Sequence, residues 1–309
     1  MNSVLTEVVR PTTILEPPRL ARRLGVRIIL ASETFQHTGS FKFRAAYNLA
    51  AEVNQKLVIT ASSGNFGQAL AYACSLLAKR AIVVMPATSA LVKIDAVREY
   101  GGQVELVDVR AKSRAARVAE LAAEHPEGYV ASAYDDPLVI EGNGTLGVEL
   151  SLIHQRDTPF DFVLAPVGGG GLTSGLIRGL RRMHAEVPVI GAEPLLANDA
   201  ARSLAAGHIV ANEGEPQTIA DGARTLSLGR HNWEVLKDGL ARIIEVPEEK
   251  IAEAVRLLFA LANLKAEPTG ALALGALLTE PEDFCGRTVC CVVSGGNVDP
   301  EVYRAILAG

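Results

Sequence analysis

Aromatic residues make up only 5% of the 309-residue chain, with a single tryptophan, so the interior has to be built from aliphatic side chains and alanine. Cysteine is scarce too: Cys74, Cys285, Cys290 and Cys291 are all there are. They show no zinc-type spacing, and the adjacent pair lies inside an apolar run, where it reads as core thiols. This usage excludes a disulfide scaffold and suits a reducing cytoplasm, which is the expected location. No apolar run approaches the roughly 20 residues of a membrane-spanning helix. The opening MNSVLTEVVRPTT lacks the basic-then-apolar order of a secretory leader. Positive charge is also short. With a net charge of −5 and no basic stripe interleaved with aromatics, neither nucleic acid nor a membrane is an expected partner.

What is present is ordinary globular material. Hydrophobic residues are 49% and charged residues 21%, which excludes a disordered chain. The length allows about two domains and a large core. Short β-branched runs alternate with helix-like segments: Leu57–Thr60, Ala81–Met85, Val104–Val107, Phe162–Val167, Val187–Ala192 and Thr288–Val293 read as strands. Helical patterns fill the intervals, with one over 111–125, one from near Gly142 to His154, and one over 251–264. This alternation predicts an α/β protein with parallel sheets covered on both faces. Residues 54–133 read as a compact small domain inserted in a large domain made of 1–53 and 134–309, with the active site in the cleft between them.

Four segments carry chemistry. Gly168-Gly169-Gly170-Gly171-Leu172 lies between a strand and a helix, where glycines let backbone N–H groups converge on an anion such as a phosphate. Neither the Walker pattern nor the dinucleotide fingerprint is present. In Thr38-Gly39-Ser40-Phe41-Lys42-Phe43-Arg44 a lysine stands among phenylalanines, an environment that lowers an amine's pKa and readies it for a Schiff base. On residue type alone, a lysine snorkelling past Phe fits as well. Ser62-Ser63-Gly64-Asn65 would suit a carboxylate, or serve as an ordinary helix cap. Ser294-Gly295-Gly296-Asn297 ends the last strand, at the edge where open parallel sheets bind ligands.

In their order along the chain, from Thr38 to Asn297, the four segments resemble one family closely, the fold-type II pyridoxal-phosphate enzymes, and within it the branch of threonine/serine dehydratases and serine racemases. The resemblance runs from about Arg10 to Asp299 and includes Glu193-Pro194, Thr218-Ile219-Ala220-Asp221-Gly222 and Glu267-Pro268-Thr269-Gly270. It implies a two-domain architecture, each domain a mostly parallel twisted sheet flanked by helices. It also implies roles. Lys42 would carry pyridoxal 5'-phosphate and move protons at the substrate α-carbon. Phe41 would pack on the cofactor ring, and Asn65 would bond its hydroxyl. Gly168, Gly169, Gly170, Gly171 and Leu172 would hold its phosphate, and Ser294 would face its ring nitrogen. Ser62, Ser63, Gly64 and Asn65 would hold the substrate carboxylate, with Ser63 as the second acid/base of the racemases. Glu193, Ala197 and Asp199 would bind Mg²⁺, Ca²⁺ or Mn²⁺ through oxygen. A hydroxyl at Ser294, rather than a carboxylate, suits elimination better than transamination.

The implied activity is dehydration of a small β-hydroxy amino acid (L-threonine, L-serine or 3-hydroxyaspartate) to a 2-oxo acid and ammonia, in a homodimer. The alternative is a serine- or aspartate-type racemase on the same scaffold. Departures from the family pattern bear on the substrate: Ala45 for Gly, Phe66 for His, Glu141-Gly142-Asn143-Gly144-Thr145 for Ala-Gly-Gln-Gly-Thr, and Ala31-Ser32-Glu33 without the usual Lys in a short N-terminal arm.

Overall fold

The β-branched runs assemble into two separate sheets in a computed structural model that describes residues 7–62, 64–89, 91–156 and 158–309. The strands are β1 (Thr13–Leu15), β2 (Arg27–Ser32), β3 (Leu57–Ala61), β4 (Arg80–Pro86), β5 (Gln103–Val107), β6 (Tyr129–Ala131), β7 (Phe162–Pro166), β8 (Val189–Pro194), β9 (Leu240–Val246) and β10 (Thr288–Val293). One sheet has the order β1-β2-β10-β7-β8-β9, the other β5-β4-β3-β6. Every pairing is parallel except β1 with β2. The smaller sheet uses residues 57 to 131 only, so the chain leaves the larger sheet after β2 and re-enters it at β7.

The inner strands of the larger sheet, β2, β10, β7 and β8, are buried on both faces, and such strands carry unbroken apolar runs rather than alternating ones. Cys290 belongs to the core on one face, with Ile29, Val163 and Leu176. Cys291 belongs to the other, with Leu30, Leu164 and Val293. Both thiols are unpaired and buried.

Several elements differ from the sequence reading. The helix expected from near Gly142 begins at Pro137 and runs to Arg156. Its glycines lower local helix propensity, but they let it lie in backbone contact with the helix Gly171–Arg182: a Cβ on Gly147 would come 2.2 Å from the Leu176 carbonyl oxygen. Packing of two helices therefore decides a segment that local preference leaves weak. The helix read over 111–125 is shorter, Arg114–Glu124, with Ser113 as its cap. Strands β1, β2, β6 and β9 are not among the strands expected from the sequence. β1 and β6 are three residues each, too short to show a period.

The helix Lys42–Glu52 is anchored from beneath by an ion cluster. The fully buried Arg44 guanidinium meets Glu33 at 2.7 Å and Glu149 at 2.7 Å, and also donates to Thr12 and Thr145. Because breaking one partner of such a cluster strands a buried charge, it pins the start of this helix to the sheet and to the helix Pro137–Arg156.

Candidate active site

The carboxyl ends of β3, β4, β7 and β10 all open onto one cleft of about 1020 Å³. Its walls include Phe41, Lys42, Ser62, Gly64, Asn65, Gly168, Gly169, Gly170, Gly171, Leu172 and Ser294. Segments more than 250 residues apart in the chain are thus brought together. Ser63 lies outside the described residues.

Lys42 opens its helix, so its side chain leaves the first turn toward the cleft. Its Nζ donates to the Ala133 carbonyl at 2.7 Å and stands 5.0 Å from the Phe41 ring centre and 5.7 Å from that of Phe66. Burial penalises the ammonium and brings its pKa down to about 8, although the carboxyl of Glu267 pulls the other way. A neutral amine is thereby within reach near physiological pH.

Opposite stands the glycine loop. Gly170 has φ +94°, a conformation open to glycine, and leads into the helix Gly171–Arg182 with no side-chain cap. The first-turn N–H groups of that helix are left to a guest. The neighbouring glycines are required sterically as well: a Cβ on Gly169 would sit 2.2 Å from the Tyr134 ring, and one on Gly171 2.8 Å from the Tyr134 carbonyl oxygen. A loop this tightly enclosed is a formed cradle rather than a slack turn. An uncapped helix end lined by glycine, a neutralisable buried lysine, and the almost fully buried Ser294 fit the phosphate, carbonyl and ring of pyridoxal phosphate.

Ser62 and Asn65 are more committed to the protein than expected. Ser62 Oγ accepts from the Gly67 N–H at 3.1 Å, capping the helix Asn65–Leu76. Asn65 Nδ2 donates to Glu267 Oε1 at 2.8 Å, and its Oδ1 accepts from Asn297 Nδ2 at 2.8 Å. One Asn65 Nδ2 hydrogen remains for a ligand.

Glu267 lies in a segment that carries the resemblance, but sequence reasoning gives it no role in the site. It is buried, lines the cleft, and has its pKa pushed up to about 8, first by burial and then by the charge of Asp221. Its place before Pro268 at a helix start hides it, because a carboxyl there reads as an ordinary complement to the helix dipole. Lys93, Arg114 and Tyr134 also line the cleft. Lys93 crosses from the smaller sheet's side to bridge Asp221 at 2.7 Å. Glu141 is elsewhere, paired with Arg182 at 2.7 Å on the surface.

Glu193, Ala197 and Asp199 are not among the residues that line the cleft, and their polar atoms are engaged elsewhere in part. Both Glu193 oxygens accept backbone N–H bonds, from Ala200 at 2.8 Å and Ala201 at 2.9 Å. Asp199 Oδ1 accepts from Asn212, while its buried Oδ2 has no partner. Burial and the nearby Asp199 raise the Glu193 pKa, and burial raises that of Asp199 to about 6. Among the described residues no group of three or more His, Cys, Asp or Glu side chains could hold a metal ion. Through these two bonds Glu193 stabilises the start of the helix Asp199–Ala206.

Comparison with known proteins agrees with this geometry. The family model described as "Pyridoxal-phosphate dependent enzyme" matches residues 5–295. The chain is 35% identical over 302 residues to an L-threo-3-hydroxyaspartate ammonia-lyase of Pseudomonas sp, covering 96% of this chain and 93% of that protein. It is 33% identical over 301 residues to a serine racemase of Schizosaccharomyces pombe, covering 96% and 92%. Among solved structures, a threonine deaminase of T.th. superposes with a TM-score of 0.91 at 41% identity, covering 96% and 95% of the two chains.

Proposed function

Since the chain belongs to the pyridoxal-phosphate dependent enzyme family, we propose that it is an ammonia-lyase that removes water from a β-hydroxy amino acid and releases a 2-oxo acid and ammonia. The observation that carries this reading is the meeting, in one cleft, of a buried amine with lowered pKa and an uncapped, glycine-lined helix end. When bound, the cofactor supplies the electron sink that makes the substrate α-hydrogen acidic.

The chain's own residues do the rest. Lys42 Nζ, the amine nearest neutrality in the cleft, holds the cofactor and takes the α-proton. The loop Gly168–Gly171 with Leu172 positions the phosphate, and Phe41 flanks the ring. Ser294 offers the ring nitrogen a hydroxyl and no negative charge, which favours elimination. Asn65, braced by Glu267 and Asn297, would have its remaining hydrogen for the ring hydroxyl. Ser62, Ser63, Gly64 and Asn65 would form the carboxylate subsite, on the side of the cleft that the residue 54–133 domain contributes.

Arg114 points to the preferred substrate. It lines the cleft and makes no ion pair among the described residues, so a second substrate carboxylate would find a cation there. L-threo-3-hydroxyaspartate, the substrate in the Pseudomonas relative's name, is therefore the first compound to try. No step is assigned to a divalent cation; of the three oxygen donors expected, the unpartnered Asp199 Oδ2 is the atom that invites one.

The test is 2-oxo acid release from L-threo-3-hydroxyaspartate, L-threonine and L-serine by protein incubated with pyridoxal phosphate, with and without chelator. Release from none of them sinks the lyase reading. Racemisation is the second reading, supported by the likeness to serine racemase. Chiral chromatography after incubation with each L-amino acid separates the two.

A further inference from the structure

The glycine loop is held from behind by two buried amides that the reaction does not touch. Asn143 and Asn232 are both fully buried. Asn143 Nδ2 donates to the Gly171 carbonyl at 3.0 Å. Asn232 Nδ2 donates to the Gly169 carbonyl at 2.7 Å and to the Tyr134 carbonyl at 3.0 Å. The same Gly169 oxygen also accepts the Gly229 N–H at 3.1 Å. Only an N–H can face a carbonyl oxygen, so the orientation of both amides is dictated by the loop. The consequence falls on the other end of each amide: Asn143 Oδ1 and Asn232 Oδ1 are buried with no hydrogen-bond partner. An unmatched buried acceptor is destabilising. These side chains are thus arranged for their donors, at a cost to the core around them.

The packing explains how such short side chains reach. The helices Pro137–Arg156 and Gly171–Arg182 touch through glycine, and a Cβ on Gly175 would lie 2.5 Å from Asn143 Cβ. That contact brings the Asn143 amide beside the first turn of the second helix. Asn232 sits in the first turn of the helix Arg230–Gly239, whose opening N–H groups are fixed by Asp135: Arg230 N donates to Oδ2 at 3.0 Å and His231 N to Oδ1 at 2.9 Å.

We propose that Asn143 and Asn232 are positioning residues of the anion cradle: by drawing the carbonyl oxygens of Gly169 and Gly171 backward, they keep those oxygens away from the phosphate and the loop's N–H groups turned toward it. A peptide unit whose carbonyl is tethered on one side cannot rotate to present oxygen on the other. Asn232 also ties the loop to the Tyr134 carbonyl, one residue after the Ala133 carbonyl that receives Lys42 Nζ.

The inference rests on the cofactor reading above, and its test distinguishes the two failures. Apoprotein of the wild type, Asn143→Asp and Asn232→Asp is titrated with pyridoxal phosphate and, separately, with pyridoxal, which lacks the phosphate. Aspartate keeps the shape of each side chain and loses the donor. Positioning predicts that the variants lose about tenfold of the preference for the phosphorylated compound, the worth of one such hydrogen bond, while pyridoxal binds as in the wild type. It also predicts a changed ³¹P chemical shift of the bound phosphate. Should an aspartate variant not fold, Asn143→Ala and Asn232→Ala, which add no charge, are read in the same way. Equal losses for both compounds, or an unchanged preference and ³¹P signal in folded variants, overturn the proposal. A wild type that takes up no pyridoxal phosphate overturns the cofactor reading instead.

Discussion

Two strand–loop–helix units face each other across the cleft. One runs from β7 through Gly168–Gly171 into the helix Gly171–Arg182; the other runs from β3 through Ser62 and Gly64 into the helix Asn65–Leu76. Their sequences look alike, a β-branched run, small residues, then a helix. Their construction is opposite. The first has no side-chain cap, its glycines are enclosed on the inner side by Tyr134, and its carbonyls are tethered to asparagines. The second is capped by Ser62 Oγ, and a Cβ on Gly64 would meet nothing within 4 Å. An enclosed cradle can hold a resident cofactor in one place, while open space beside Gly64 leaves room for a substrate that turns over.

The comparison breaks most easily at Gly169. Alanine there would press on the Tyr134 ring. Overpacking of this kind costs about 1–3 kcal/mol. Affinity for pyridoxal phosphate, followed by absorbance titration, should fall roughly ten- to hundredfold; an unchanged affinity would show that the loop is not sterically set.

The amine between the two loops supplies the next effect. A lysine whose pKa is lowered from 10.5 to about 8 becomes neutral at lower pH than usual. Capture of pyridoxal phosphate by apoprotein should therefore quicken about tenfold per pH unit on the way up and level off near pH 8, rather than continue toward the range of a free lysine. Stopped-flow absorbance across pH measures it, and a profile still climbing at about pH 10, the range of an unperturbed lysine, would remove the burial argument.

The smallest effects belong to the substrate-side loop. Ser62→Ala removes the acceptor of the Gly67 N–H and should lower stability by about 1 kcal/mol in denaturant unfolding. Gly64→Ala should change stability by about 0.5 kcal/mol or less. If Gly64→Ala weakened cofactor binding as much as Gly169→Ala, the two loops would be equivalent and the contrast between them void.

Much of the site was legible because its requirements are local. A phosphate cradle needs glycine at consecutive positions, an amine that works near neutrality needs apolar neighbours, and both leave short patterns such as Ser40-Phe41-Lys42-Phe43. The α/β class was legible because strands buried on both faces leave apolar runs between helical periods. Glu193 shows the converse. An acid near Asp199 has the same spacing whether it binds a cation or accepts two N–H groups, and only the turn of the chain into the helix Asp199–Ala206 separates these uses.

By itself, then, the sequence determined which chemistry-bearing groups exist and the order of strands and helices that carries them, since residue type and period act over a few neighbours. Tertiary structure alone decided which of those groups meet. Asn65 finds Glu267 across 202 positions and Asn232 finds Gly169 across 63. The cost of leaving a buried polar group unpaired enforces such meetings, and it is settled only when distant segments have packed.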